Sequence, residues 1–322
     1  MNITYVPQVN IDKQKWDRCI ETAGNGLIYA WSFYLDAMSK NWDALIVNDY
    51  EMVMPLTWNK KYGISYLRQP FFIQQSGIFG NSSFTEDVTK QFIKQALNLF
   101  PFAEINLNFA NEYNSSGATK CNLILPLDNT IAEIEKHFKN DLIKNIKKAN
   151  KNNLIYRPSE EIKTAIESYK NTYSERFYIP QKAYEDFFQL CLLLKKKKQL
   201  LVRKVNSKDE KLLAIAIFLK DKKRVYNIMS TTFPEGRSLE ANHFLLYELI
   251  KEFSGQNLIL DFEGSEIQSI NFFYRKFGAI EQPYPFVRIN NLNTLQRFFK
   301  NLSDQYKFSK KKIEPGISSE VK

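Results

Sequence analysis

The segment LILDFEGSEIQSINFFYRKFGAIEQPY, Leu258–Tyr284, carries the plan of the second half of the chain. Its apolar opening, Leu258–Phe262, has the length and composition of a strand. The run ends in Asp261-Phe262-Glu263-Gly264, so two acids stand two apart at a strand end, where alternation places them on one face. A helix is predicted over Gln268–Phe277, with Gly278 in the position of a C-terminal cap. A final strand is predicted over Ala279–Ile289.

Upstream, a strand over Arg224–Met229 leads through Ser230–Leu239 into a helix over Glu240–Phe253. The apolar residues of that helix fall at 245, 246, 249, 250 and 253. A strand, a glycine-bearing loop and a helix N-terminus make an anion site, because unbonded N–H groups and the helix dipole face one point. On that ground Gly236, Arg237 and Ser238 are the candidate anion-binding residues. Strands over Leu200–Val205 and Leu212–Leu219 come before. Earlier still are a lysine-rich helix over Ile131–Asn150 and a short strand over Leu154–Arg157. A helix capped by Ser159 runs to Tyr173, and another, opened by Pro180, ends in Lys195–Lys198.

The first half shows helices over Trp16–Ile20 and Trp31–Met38. Strands follow over Ala44–Val47, Glu51–Thr57, Ile64–Leu67 and Phe71–Ile73, with Asn48-Asp49 as a turn. A helix over Glu86–Phe100 lies between Thr85 and Pro101, and strands are predicted near Glu104–Phe109 and Asn122–Leu125. Both halves thus run helices, an antiparallel meander, then helix and strand. The expected architecture is α/β (α+β): two tandem domains, each a mixed, mostly antiparallel sheet flanked by helices. Residues 1–130 form the first. Residues 131–309 form the second, with its basic opening helix and a C-terminal helix from about Asn291, and 310–322 form a flexible charged tail.

Of 322 residues, 44% are hydrophobic and 25% charged, which excludes general disorder. No apolar run approaches the ~20 residues a bilayer crossing needs. Asp12, Lys13, Lys15, Asp17 and Arg18 stand where a signal peptide would be apolar. The three cysteines, Cys19, Cys121 and Cys191, are far apart and fit a reducing compartment. A cytoplasmic location is expected. His137 and His243 are too few for a histidine-rich metal site, and no CxxC, HExxH, GxSxG or P-loop pattern occurs, so no metal is expected. Residues 1–130 hold 10 Lys/Arg against 12 Asp/Glu, a net of −2, and the rest hold 35 against 23, a net of +12. Lys144, Lys147, Lys148 and Lys151 lie along one face of the opening helix. That face is either an anion-binding surface or simply solvated.

The Leu258–Tyr284 segment resembles the closing half of the GNAT acyltransferase superfamily. There a helix carries a pattern like Asn-x-x-Ala-x-x-x-Tyr-x-x-x-Gly-Phe. Tyr274 falls at the tyrosine, and Gly278-Ala279 stands for Gly-Phe; a packed core aromatic is the alternative reading of Tyr274. The family's Arg/Gln-x-x-Gly-x-Gly/Ala donor loop is reduced here to Gly236 with Arg237. Over its length the chain looks most like the Fem-type aminoacyltransferases and their acetyltransferase relatives, which hold two GNAT-like domains in tandem. Residues Phe138–Leu154 resemble the basic helix opening their second domain, and Asp261–Ser265 their strand-end loop. The helical arm of some members has no counterpart, since no long heptad segment occurs.

The resemblance implies an N-acyltransferase. Its co-substrate would be acyl-CoA, another thioester or aminoacyl-tRNA, with no permanently bound cofactor. Its acceptor would be a primary amine on a small molecule or cell-envelope precursor, and tRNA is a further candidate partner. In this reading Tyr274 protonates the leaving group, and Glu263 or Asp261 takes the amine's proton or binds its cation. The run Arg68–Gln75 mixes aromatics with amides; it either lines an acceptor groove between the domains, with Arg68, Gln74 and Gln75 as the candidate acceptor-binding residues, or is simply an edge strand with a turn. The alternatives are a non-catalytic GNAT-like binding module that has lost its donor loop, and a nucleic-acid binder using the basic half.

Overall fold

A computed structural model of the chain describes residues 1–294 apart from 62, 115–117, 177 and 265. The C-terminal helix and charged tail expected beyond lie outside the described residues. In chain order the first half holds β1 (Ile3–Val6), α1 (Lys13–Thr22), α2 (Ser32–Met38), β2 (Trp42–Val47), β3 (Met52–Lys61), β4 (Ile64–Arg68), β5 (Phe79–Gly80), α3 (Glu86–Leu99), β6 (Phe102–Asn106), β7 (Thr119–Lys120) and β8 (Leu123–Pro126). The second holds α4 (Ile131–Glu135), α5 (Asn140–Lys151), β9 (Ile155–Ser159), α6 (Ile162–Tyr173), α7 (Gln181–Lys196), β10 (Leu200–Asn206), β11 (Leu212–Lys220), β12 (Arg224–Thr232), α8 (Pro234–Ser238), α9 (Ala241–Phe253), β13 (Ile259–Asp261), α10 (Gln268–Arg275), β14 (Ile280–Glu281) and β15 (Tyr284–Asn290).

One sheet has the order β1-β2-β3-β4-β6-β15-β7, with β5 added on β3; the other has the order β14-β8-β13-β12-β11-β10-β9. Only β4–β6 and β12–β13 pair in parallel among the described strands. Two mixed, mostly antiparallel sheets flanked by helices are what the element order implies. The chain trades a strand each way: β8 lies in the second sheet and β15 in the first. The segment expected as one strand over Ala279–Ile289 is therefore two strands in different sheets, parted at Gln282-Pro283.

Three cores set the layers. One lies under α3, where Phe92, Ile93 and Ala96 pack on Leu45, Met54 and Ile105 of the first sheet. The central core is shared: Trp16, Tyr29, Tyr34 and Phe79 from the first half meet Phe187, Leu190, Ile215, Ile217 and Tyr226 from the second. The third lies beyond the second sheet, against α5 and α9. β11 reads LLAIAIFLK because it is covered on both faces: Ile215, Ile217 and Leu219 point to the shared core, and Ala214, Ala216 and Phe218 to the outer one.

Two local expectations differ. The lysine-rich helix breaks at residues 136–139, where Phe138 turns inward to pack 5.8 Å from Phe277. The Lys139 N–H there donates to the Lys276 carbonyl at 2.9 Å, so the break seats the end of α10. Phe71–Ile73 is a turn rather than a strand, because Phe72 adopts φ 58° and drives its ring between Tyr184 and Phe187.

Candidate active site

β12 and β13 run parallel but pair only over Arg224–Tyr226 against Ile259–Asp261. β12 continues to Thr232, whereas β13 stops at Asp261. The chain leaves the sheet there because Glu263 and Gly264 take left-handed backbones, φ 62° and 48°. Glycine is needed at 264: a Cβ would stand 2.1 Å from the Cys121 carbonyl oxygen. A wedge thus opens between the two strands. A bulge shapes its β12 side, since Ile217 and Phe218 face Met229 and Asn227, leaving Ile228 over. Tyr226 and Met229 then both face the shared core. Asn227 turns the other way, toward Tyr274.

Glu263 is the unusual group here. Part of the residue reaches the surface, yet its Oε1 is covered and has no hydrogen-bond partner among the described residues. Burial pushes its carboxyl up to about 8. Tyr274 stacks on Phe262 at 4.6 Å and 24°. Its hydroxyl accepts a bond of 3.2 Å from Asn227 Nδ2. That hydroxyl lies well above the ordinary phenol range, first through burial and then through Tyr173, Tyr169 and Glu263 nearby. Tyr169 and Tyr173 come from α6, one helical turn apart with rings 4.8 Å apart. Asn227 Oδ1 and Thr231 Oγ1 are also buried without partners. An acid, a phenol and an unsatisfied amide oxygen thus gather at the wedge.

Asp261 has a different role. It pairs with Arg224 Nη1 at 2.8 Å, with side chains only 1% and 4% exposed. The same Arg224 nitrogen donates to Gln282 Oε1 at 2.9 Å, and the guanidinium lies 4.7 Å from the Phe109 ring. The other oxygen of Asp261 accepts from the Glu263 N–H at 3.0 Å. The two acids do not share a strand face, because β13 ends between them. Asp261 holds the turn in place, and Glu263 is the acid with an open oxygen.

The expected donor loop folds as α8 and the start of α9. Gly236 is buried, and a Cβ on it would stand 2.2 Å from the Leu213 carbonyl oxygen. The glycine lets α8 lie on β11; it does not open the backbone to an anion. The N–H groups of Arg237, Leu239 and Glu240 are bonded to Phe233, Glu235 and Arg237 carbonyls. Arg237 Nε faces the Thr232 carbonyl at 3.3 Å, and Ser238 Oγ donates to the Glu235 carbonyl at 2.7 Å. At the head of α9, the Glu240 carboxylate lies 2.9 Å from Lys148 and 3.1 Å from His243 Nδ1. His243 Nε2 faces Asn145 Nδ2 at 3.2 Å, which makes Nε2 the acceptor and Nδ1 the protonated nitrogen. Burial lowers the His243 pKa, against the pull of Glu240. An acid of the chain itself therefore sits at the head of α9, where an anion was expected, and the turn uses the Arg237, Leu239 and Glu240 N–H groups itself. Gly236→Ala is expected to destabilise the fold by about 1–3 kcal/mol through this clash; urea unfolding checks it.

The acceptor candidates divide. Arg68 is exposed, with its guanidinium 4.9 Å from the Phe71 ring. Gln75 is buried, donating to Gln74 Oε1 at 2.8 Å and accepting from the Phe109 N–H at 2.9 Å. Gln74 Nε2 donates to Asn122 Oδ1 at 3.3 Å. Asn122 packs against Gly264, so Gln74 alone of the three leads toward the Glu263 turn. Asn227, Tyr169 and Tyr173 were not singled out from sequence. The available signals were a lone amide among the large side chains of VYNIM, residues 225–229, and two tyrosines at i, i+4 on one helix. An open surface hollow of about 660 Å³ lies on the far side of the same loop, lined by Cys121, Glu266, Asn271 and Arg275 among others; Glu263 and Tyr274 do not line it. Among the described residues no cluster of His, Cys, Asp and Glu fits a metal ion, and no helix is long and apolar enough to cross a membrane.

Residues 136–264 match the family model described as an acetyltransferase (GNAT) domain. No curated protein matches the chain. Among solved structures, FemX superposes with a TM-score of 0.65 at 13% identity, covering 90% of this chain and 98% of that one. The C-terminal DUF2156 domain of an Agrobacterium fabrum protein assigned as a lysylphosphatidylglycerol synthetase gives 0.55 at 10% identity, covering 91% and 96%. A conserved protein of unknown function from Bacteroides thetaiotaomicron gives 0.54 at 9%, covering 90% and 100%. Residues 136–264, which include the splayed parallel strands, thus match a GNAT acetyltransferase domain, and the chain as a whole has the fold of FemX.

Proposed function

We propose that the chain moves an acyl or aminoacyl group onto a primary amine in the wedge between β12 and β13. The observation that carries this reading is the Glu263 carboxyl, held near pH 8 by burial, with an unpartnered oxygen beside Tyr274. A base works best when its pKa lies near the operating pH. Glu263 takes a proton from the bound ammonium, and the freed amine attacks the acyl carbonyl. Beyond Tyr226, β12 has no strand partner on the wedge side among the described residues, so its edge offers backbone N–H groups to the tetrahedral oxyanion. Tyr274 gives its proton to the leaving sulfur or oxygen as the bond to carbon breaks. The acyl donor supplies only the activated carbonyl and leaving group.

The Glu240 carboxylate at the head of α9 and the bonded N–H groups of the turn before it support a donor held elsewhere, and aminoacyl-tRNA fits best. α5 buries Leu142, Ile146 and Ala149 and turns Lys144, Lys147 and Lys151 outward, while Lys148 is engaged with Glu240. Changing Lys144, Lys147 and Lys151 together to Glu is expected to weaken tRNA binding. It should also reduce the slope of log affinity against log salt by roughly 0.7–0.9 for each phosphate that is no longer neutralised. Unchanged affinity at low salt would return this helix to a solvated face. The same acid at the head of α9 also favours a second reading, a binding module without turnover. The deciding experiment incubates the protein and n-butylamine with acetyl-CoA, a long-chain acyl-CoA or aminoacyl-tRNA, and seeks the amide by mass spectrometry. Amide formed by the wild type and lost in Glu263→Gln supports the transferase. Donor binding with no amide from any of the three supports the module.

A further inference from the structure

We infer that Asn227 is a positioning residue that fixes the Tyr274 hydroxyl as a hydrogen donor aimed into the wedge. The inference rests on the transfer reading above for its purpose, but its geometry stands by itself. Asn227 is an amide, 5% exposed, flanked in its strand by Val225, Tyr226, Ile228 and Met229. A buried amide is costly unless its groups are used. One is used: Nδ2 donates to the Tyr274 oxygen at 3.2 Å. The other, Oδ1, is buried and unpartnered.

A phenol has one hydrogen and can also accept. With Asn227 donating into its oxygen, the Tyr274 hydrogen must point elsewhere. Phe262 covers one face of the ring. The polar groups around the hydroxyl are Tyr169 and Tyr173 from α6 and Glu263 from the turn after β13. The free hydrogen therefore points toward the space these groups surround, where the leaving atom would lie. After the proton is given up, the same Asn227 N–H faces a phenolate and the bond becomes charge-assisted. The bulge at Ile228 makes this possible, since it turns Asn227 away from the face occupied by Tyr226 and Met229. An aspartate at 227 has the same shape and only acceptors. It would draw the Tyr274 hydrogen to itself and out of the wedge.

Two readouts on the full chain test this. Neutron diffraction of the deuterium-exchanged, ligand-free protein should show the Asn227 amide deuterons toward the Tyr274 oxygen and the phenol deuteron turned away. A phenol deuteron directed at Asn227 overturns the inference, whatever the protein's activity. The second readout uses n-butylamine and whichever donor in the panel above gives amide. Asn227→Asp should lower kcat by about a hundredfold or more and leave KM within twofold. Its Tm should fall, since it adds a buried carboxylate, and adding Tyr274→Phe should cost no further turnover. A purely structural Asn227 would give the opposite: Asn227→Asp active, Asn227→Ala less stable. If no donor yields amide, the transfer reading fails, while the neutron map still decides the orientation.

Discussion

Glu263→Gln is expected to lower turnover by about 10²–10⁴-fold, the usual worth of a positioned general base. KM should change little, because the amide keeps the shape of the carboxyl. The same substitution should alter how stability depends on pH, and the sign follows from linkage. The folded carboxyl titrates near 8 because burial disfavours its charge. In the unfolded chain it titrates near 4.3. Between those values the folded state holds a proton that the unfolded state has lost. Its contribution is therefore fully present below pH ~4.3 and is lost as pH rises toward 8. At about 1.4 kcal/mol per pH unit across the window, the amount lost is a few kcal/mol. Glu263→Gln should flatten this fall and be at least as stable as the wild type at pH 8. Urea unfolding at pH 5, 6.5 and 8 measures it. A Glu263→Gln variant that turns over normally would remove the acid from the chemistry.

Asp261→Ala is expected to cost about 3–5 kcal/mol, because it leaves the Arg224 guanidinium buried without its counter-ion. The pair is nearly inaccessible, so water cannot replace the missing carboxylate. The turn suffers as well, since the Glu263 N–H loses its acceptor. Asp261→Ala should thus lower both stability and turnover, whereas Glu263→Gln lowers turnover alone. Combining Asp261→Ala with Arg224→Leu should recover part of the loss, since no unpaired charge then remains. Denaturant midpoints of the single and double variants check this. A loss within about 0.5 kcal/mol for Asp261→Ala would mean the pair is solvated and the anchoring role is absent.

The alternation of apolar runs made the sheets and most helices legible, and β11 shows why: an unbroken LLAIAIFL run has to be covered on both sides. What stayed hidden depends on distant partners. Nothing local tells β8 to join the second sheet or β15 the first, because each is short and apolar enough for either. The break before α5 is set by Phe138 meeting Phe277 and Tyr247, far along the chain. At the site, Tyr274 was reachable through its spacing to Gly278, and Glu263 through the acid pair. Telling the two acids apart was not. That depends on the left-handed backbone at Glu263 and on Arg224, 37 residues before Asp261. Gly236 misled because a glycine before a helix fits two needs equally well, an anion's approach or a neighbouring strand's. The 2.2 Å clearance to the Leu213 oxygen decides for the strand.

The central claim is that acyl transfer takes place in the wedge between β12 and β13. The most direct measurement is a crystal structure of the protein with a non-transferable donor analogue, in which an amide or thioether replaces the labile bond. The expected result places the acyl carbonyl in the wedge, with the Tyr274 hydroxyl within ~3–3.5 Å of the leaving atom and Glu263 facing the side from which an amine attacks. An analogue seated elsewhere, with Tyr274 still stacked on Phe262 and closed off from it, would contradict the claim and leave Tyr274 a core aromatic.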